Sequence, residues 1–516
     1  MIQSSPRAFD WRALPFYVLF AVLAAVICAQ INVHLGITPN TSVIGVLVAI
    51  AVGRTLIPAF RDPQRQLLLE TATSAGGFAG ANIGLVSLAT LALLGFNHLF
   101  WPLLVGLLAG MVADIWLGYR LFGSRAFPAE APWPDGEAVG RMIQAGDTGG
   151  RTARDLVEGI AAALIGRLFL LPMAGFGIAF IGNATALSAL AIGLLVRGYS
   201  NVVQYDFASS YLPHGMMIGA GLVQVLQTGW LFWQTRERSP AAGATPSEEA
   251  KGGPLQLSAS EILLHLAVML GGAVLLVGAG GLWKYEPSAM SLLGWVAFAG
   301  VAALVHTIIV GYCAMLSGWF PSFAVAIALM MVAALFGFPL ELLALLAGYV
   351  LSTGPQFADL GYDLKSGWIV RGRGQDPRLE QYGRSQQVRL QQLGGIVGLA
   401  TAAFAFEVYW SAGLVPPMSR VMAATISVTV NPELSMQLLI GGVVGAAVQM
   451  AGTARRALGI MLATGLLLDN VGYGWALAGG LVLRRFLPPQ TMAVRAPGVI
   501  AGDGIGGFVS AILRAF

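Results

Sequence analysis

Charge is what this chain has least of. Only 10% of its 516 residues are Asp, Glu, Lys or Arg, against 56% hydrophobic residues and a mean hydropathy of +0.74. A soluble domain carries roughly 25% charged residues, so a soluble enzyme of this length is excluded. Cysteine is almost absent: Cys28 and Cys313 lie in separate apolar runs, which leaves no disulfide framework and no thiolate metal pattern. Apolar and polar residues do not alternate with period two, which rules out a membrane β-barrel. Reaction and gating signatures are missing as well. There is no GxxxxGK[ST] phosphate loop, no HExxH, paired CxxC or GxSxG, no Arg-rich voltage-sensing helix and no TVGYG filter. Coupling, if present, must use an ion gradient, and no cofactor is expected. The net charge of +4 fits anchoring at the inner face of a membrane rather than nucleic-acid binding. No signal peptide is evident, because Met1 to Arg12 is polar and the apolar run after it is long enough to span.

What is abundant is long apolar sequence. The fold expected is all-α, a polytopic integral membrane protein with roughly 14 to 16 transmembrane helices of about 20 residues each. Some are expected to be broken or re-entrant, and the whole to form two repeated halves. Expected spans include 41–60, 66–96, 153–175, 177–198 and 386–412. The halves are residues 1–235 and 257–516, joined by a polar linker at 236–256 rich in Ser, Pro, Gly and Glu. Each half holds one polar, Arg-bearing loop, 123–152 and 362–385. Positive loops favour the cytoplasmic side, here of a prokaryotic inner membrane. An even number of crossings must then separate the two, which makes 199–213 and 354–368 the candidates for re-entrant elements. Leu156 to Gly166 matches Gln392 to Ala402 weakly at Gly159/Gly395 and Ile160/Ile396, as a duplication would leave. Transporters built from repeats place their binding site at the repeat interface.

A charge at the bilayer centre costs about 2.5–3.5 kcal/mol or more, so each one kept inside a span asks for a reason. Glu70 precedes Thr71, Thr73, Ser74, Gly76, Gly77, Gly80 and Asn82, which reads either as close helix packing or as a helix opened toward a ligand. Asp114 sits in GMVADIWLGYR, where four residues lead to Gly118 and on toward Arg120, and reads as a structural pair at the membrane edge or as a charge partner in a pathway. The stretch Asn201 to Gln227 carries Asn201, Gln204, Tyr205, Asp206, Tyr211 and His214 around Pro213. Proline breaks a helix, so this is either a broken element lining a wet cavity or an external connector. In the second half, Gly354-Pro355 breaks a run ahead of Asp359, Asp363 and Lys365. Spaced by one helical turn, the two aspartates would share a face, with Lys365 able to neutralise one of them. His265 and His306 lie in apolar runs, where a helix-to-helix hydrogen bond is the plain alternative to a ligand role. Asp469 sits in a turn-like stretch, and Asp503 lies among glycines in IAGDGIGG.

Four stretches taken in order resemble the oligopeptide transporter family, in the broad sense that includes the yellow-stripe-like metal-chelate transporters, and its prokaryotic branch in particular. Phe127 to Arg154, ending in AGDTGGRTAR, is similar to the family's first cytoplasmic loop. DLKSG at Asp363 to Gly367 is similar to its D-L-K-T-G, Gln386-Gln387 stand where a Gln pair often follows, and GVIAGDGIGG at Gly498 to Gly507 resembles its last-span G-x-x-A-G-E. The NPGPFN-type signature of the eukaryotic peptide-transporting branch is absent. The resemblance implies about 16 spans from an internal duplication and proton-coupled uptake of small peptides, modified peptides or metal-chelate complexes.

The expected function is therefore secondary active transport by alternating access. Proton-coupling candidates are Glu70, Asp206, Asp359 and Asp503. Substrate-binding candidates are Asn82, Asn201, Gln204, Tyr205, Tyr211, His214 and Lys365. Charge partners are Asp114, Arg167, Arg197, Asp363 and Asp469. Partners would be a small-molecule or peptide substrate, protons or another coupling ion, and the bilayer, with a homo-oligomer compatible and nucleic acid not. The alternatives are a membrane-embedded enzyme acting on a lipid-linked or amphipathic substrate, and a passive channel.

Overall fold

A computed structural model describes residues 6–36, 45, 57–145, 151–207, 209–237, 259–286, 288–317, 321–427, 433–453 and 456–515. Among these residues the chain is helical, with no strand beyond an isolated bridge between Phe122 and Phe127. The helices are α1 (Leu14–Leu35), α2 (Pro63–Leu93), α3 (Phe100–Leu121), α4 (Pro134–Ala145), α5 (Arg151–Leu168), α6 (Met173–Ile181), α7 (Ala184–Gly198), α8 (Leu212–Glu237), α9 (Ala259–Gly280) and α10 (Ala289–Ser317). They continue as α11 (Ser322–Ala334), α12 (Leu340–Leu351), α13 (Pro355–Val370), α14 (Pro377–Ser411), α15 (Pro417–Ser427), α16 (Glu433–Met450), α17 (Leu458–Leu467), α18 (Val471–Leu483) and α19 (Pro489–Ala515).

Six helices among the described residues are long and apolar enough to cross a membrane: Leu14–Leu35, Pro63–Leu93, Asn97–Leu121, Ser260–Gly280, Ala289–Leu316 and Pro377–Ser411. They mark the chain as an all-α membrane protein. Large apolar side chains such as Phe404 and Leu226, 87% and 72% exposed, face outward as lipid-facing residues would. The expected spans 153–175 and 177–198 are cut differently, into α5, α6 and α7, with Pro172 and Gly182-Asn183 at the breaks. The expected span 41–60 lies largely outside the described residues, as does nearly all of the linker 236–256.

Local sequence explains the ends of the central helices. Asp62 and Asp376 each precede a proline at the first helical turn and accept backbone N–H groups, Gln64 N at 3.3 Å and Arg378 N at 3.0 Å. An Asp N-cap followed by Pro at the first position is a strong start signal. The two helices so begun, α2 and α14, pack together. A Cβ on Gly394 would lie 2.4 Å from Ala72 O, one on Gly398 2.4 Å from Gly76 O, and one on Gly76 2.6 Å from Ala21 O. Glycine is thus what lets the backbones of α1, α2 and α14 touch. Within α2 the segment Ala79–Leu85 winds as a π-helix, a local widening often found at functional sites.

Helices from either side of the linker interlock: α2 packs on α14, α5 on α19, α7 on α17 and α8 on α16.

Both polar loops need correction. Residues 362–385 are not a loop. Residues 355–369 form a buried part of α13, the turn is confined to 371–376, and α14 begins at Pro377. The first loop, 123–152, contains α4, which docks on α13, where a Cβ on Gly136 would lie 2.3 Å from Tyr362 O; just before α4, Trp133 N donates to Met315 O of α10 at 2.8 Å. That docking half-buries Asp135, and desolvation pushes its carboxyl up to about 7. The folded protein therefore keeps a proton that the unfolded chain releases near pH 4. Stability is greatest below that range, falls as pH rises from about 4 to about 7, and is flat above. We expect the thermal midpoint in detergent to drop between pH 5 and pH 8, and Asp135→Asn to flatten the drop. A slope unchanged in the variant would put the responsible group elsewhere.

Candidate functional site

Three central helices each bring a pair of polar side chains, one turn apart, to a common point. They are Glu70 and Ser74 on α2, Asp359 and Asp363 on α13, and Gln387 and Gln391 on α14, all six fully buried. Ser74 Oγ donates to Asp359 Oδ1. Gln391 Nε2 donates to Asp359 Oδ2 at 2.8 Å and to Gln356 Oε1 at 2.7 Å, and Gln356 Nε2 donates to Ala75 O at 3.2 Å. Gln387 Nε2 donates to the Asp363 carbonyl at 2.6 Å and to Thr71 Oγ1 at 3.4 Å. Glu70 and Asp363 lie close enough for their carboxyl groups to interact, and the Thr71 hydroxyl donates to Glu70 Oε2 at 3.5 Å.

A hydrogen bond between two carboxyl groups requires a proton on one of them, because an ionised carboxylate only accepts. Two like charges about 4 Å apart repel by about 4 kcal/mol even at an effective dielectric constant near 20. Two carboxyl groups brought together in a buried site favour holding one proton between them over both ionising, and beside them Asp359 accepts from two neutral donors.

The buried cations near this cluster are held elsewhere. Contrary to expectation, Lys365 neutralises neither aspartate. Its Nζ donates to Ala129 O and Ala131 O, both at 2.9 Å, lies 3.4 Å from Glu137 Oε2 and stacks 4.6 Å over Trp368. Arg371 is paired with Glu380 at 2.7 Å and donates to Gln387 Oε1 at 2.8 Å. Asp114 is not an edge partner of Arg120. It is fully buried, accepts from Phe357 N and Thr307 Oγ1 at 2.7 Å each, and so holds the N-terminus of α13. Arg120 lies over the Trp116 ring.

Asp503 belongs to a second cluster. It accepts from Tyr473 at 2.8 Å and from Ala174 N at 3.0 Å, and lies 3.6 Å from Arg167. Beside it His34 stacks on Tyr473 and bonds Gln30 at 2.7 Å and Asn470 at 3.2 Å. Asn82, in the π segment, accepts from Asn32 at 3.2 Å. Asp469 is exposed in the turn between α17 and α18.

The structure does not bring the segment 201–206 to either cluster. Asn201, Gln204, Tyr205 and Asp206 are exposed on the connector between α7 and α8, which corrects their expected place in a cavity wall. Tyr205 bonds Ser210 at 2.6 Å. Tyr211 and His214, half-buried at the start of α8, pack ring on ring at 5.1 Å. The charges of Arg197 and Arg420 both act on His214. His306 makes the expected helix-to-helix contacts, to Ser322 O at 2.9 Å and Thr353 Oγ1 at 3.3 Å.

Sequence reasoning missed Gln30, Asn32, His34, Thr307, Gln356, Gln391, Glu380 and Tyr473. For Gln356 and Gln391 there was a signal: both continue one-turn polar spacings, Gln356 with Asp359 and Asp363, and Gln391 with Gln387, inside otherwise apolar helices. No family model matches this chain, and no curated protein matches it.

Proposed function

We propose that the chain is a proton-coupled secondary active transporter that moves small peptides, modified peptides or metal-chelate complexes by alternating access. The observation that carries this is the buried Glu70–Asp363 pair, with Asp359 one turn away. Intramembrane acids that share a proton are the expected hardware of a proton relay. Gain or loss of that one proton changes the charge at the junction of α2, α13 and α14, and so biases how those helices pack. The resemblance to oligopeptide transporters supports the same reading, since Asp363 opens DLKSG and Asp503 sits within GVIAGDGIGG. In this reading the short helices act as re-entrant pairs. At 1.5 Å per residue, α6 and α17 reach only about 15 Å, half of a hydrocarbon core of about 30 Å.

The test is uptake into proteoliposomes under an imposed proton gradient, from a mixed pool of dipeptides, tripeptides and metal-chelator complexes, with the lumen read by mass spectrometry. Accumulation above the outside concentration, abolished by an uncoupler, is the expected result. Flux of any pool member that follows only its own gradient would replace the carrier with a channel.

A further inference from the structure

We propose that Gln387 is the gate through which protons reach the Glu70–Asp363 pair, an inference that rests on reading that pair as the proton site. A cavity of about 10 Å³ lies between the start of α2, the start of α14 and the segment ahead of α1, and a volume of that size holds about one water molecule. Its rim is half-exposed, at Pro6, Gln64, Leu379 and Tyr382, and its floor is buried, at Arg371, Gln386 and Gln387. Ala8 N donates to Gln386 Oε1 at 2.9 Å and so ties the segment ahead of α1 beside it. The cavity leads inward from the face that carries the turn 371–376 and stops at Gln387. That one side chain also reaches the surroundings of the carboxyl pair. Its Nε2 donates to the Asp363 carbonyl at 2.6 Å and to Thr71 Oγ1 at 3.4 Å, and the Thr71 hydroxyl donates to Glu70 Oε2 at 3.5 Å.

An amide N–H donates a hydrogen bond but is not a titrating group. The line from the cavity through Gln387 and Thr71 to Glu70 is therefore hydrogen-bonded and yet closed to protons while the amide stays in place. Arg371 completes the seal. It donates to Gln387 Oε1 at 2.8 Å, is anchored by Glu380 at 2.7 Å, and sets a fixed cation in the cavity floor, which opposes the entry of a proton. The amide is also confined, because a Cβ on Gly367 would collide with Gln387 Oε1. Its partners belong to different elements: Thr71 to α2, Asp363 to α13 and Arg371 to the turn after α13. A shift of α14 against α2 and α13 breaks all three bonds together. Water from the cavity then meets the Thr71 hydroxyl, which both accepts and donates, and Thr71 adjoins Glu70.

The experiment reads proton flux without substrate into proteoliposomes of the full chain, with a pH-sensitive dye in the lumen, an imposed gradient, and valinomycin with potassium to balance charge. Gln387→Ala deletes the amide and leaves its space empty, and should raise the flux at least tenfold. Gln387→Ala/Glu70→Gln should return it to the level of the unaltered protein, because the leak has lost the acid it runs through. Gln387→Leu loses the same hydrogen bonds but fills the space, and should stay tight. Gly367→Ala crowds the amide out of its place, should leak severalfold, and carries the test if Gln387→Ala does not fold. A folded Gln387→Ala that stays tight, an equal leak in Gln387→Leu, or a leak that survives Glu70→Gln would overturn the gate. A leak through Glu70 in a protein that accumulates no substrate would keep the gate and remove the transporter reading. Accumulation by the unaltered protein with a tight Gln387→Ala would do the reverse.

Discussion

Glu70→Gln is expected to abolish proton-driven accumulation while leaving exchange of substrate down its own gradient. The amide of glutamine can donate to Asp363, so contact between α2 and α13 at this point survives. What is lost is a proton that can leave. One pH unit across the membrane is worth 1.36 kcal/mol per proton, or tenfold in concentration. A carrier that moves one proton per substrate should therefore concentrate its substrate about tenfold under a one-unit gradient. The variant should equilibrate at a ratio near one under the same gradient, with uptake no longer sensitive to an uncoupler. Asp363→Asn should behave alike, because the pair shares a single proton. Asp359→Asn differs, since its amide would face the donors Ser74 Oγ or Gln391 Nε2 and lose one of those bonds. If Glu70→Gln still accumulates substrate at every pH, the proton site is not this pair.

How much of this was legible in the chain depends on how local the signal was. Glu70 with Ser74 and Asp359 with Asp363 can be read as shared helix faces from spacing alone, and the structure buries both pairs. Gly354-Pro355 marks a discontinuity in the sequence and in the structure alike, but the residues beyond it defy their composition. Gly354, at φ 87°, and Pro355 begin a helix; they do not open a loop. Asp359 and Lys365 read as parts of a solvated segment, because the partners that allow their burial lie far along the chain. Ser74 is 285 residues from Asp359, and Ala129 is 236 from Lys365. No local window contains those pairings. The opposite error fell on 201–206. Its polar residues resemble a cavity wall in composition, but they lie on the connector between α7 and α8 and stay exposed. Polar composition locates candidates, and only long-range packing separates a buried network from a wet connector.

Glu380→Leu is expected to cost about 3–5 kcal/mol of stability, the usual effect of leaving a buried charge without its partner. Arg371 and Glu380 are 1% and 8% exposed in their side chains, and the carboxylate accepts from Arg371 Nε at 2.7 Å and from Arg384 at 2.7 Å. Without it, two guanidinium groups face each other across the start of α14, and the deeper one has lost its counter-charge. The slot that holds Arg371 cannot widen to admit water cheaply. Its walls are Gly367 and Gly383, where a Cβ would lie 2.5 Å from the Arg371 side chain in each case. A loss of this size is a large share of the roughly 5–15 kcal/mol that holds a folded protein. The double variant Arg371→Met/Glu380→Leu separates charge from packing. Methionine is unbranched and fills such a slot, and replacing a buried pair by apolar groups is often neutral or better, so the double variant should recover most of the loss. Arg384, 20% exposed, can turn its charge to water. Thermal unfolding of the unaltered protein, Arg371→Met, Glu380→Leu and the double variant in one detergent closes the cycle. A double variant no more stable than Glu380→Leu would show that the glutamate contributes shape and not charge, and that the pair does not lock the turn between α13 and α14 through electrostatics.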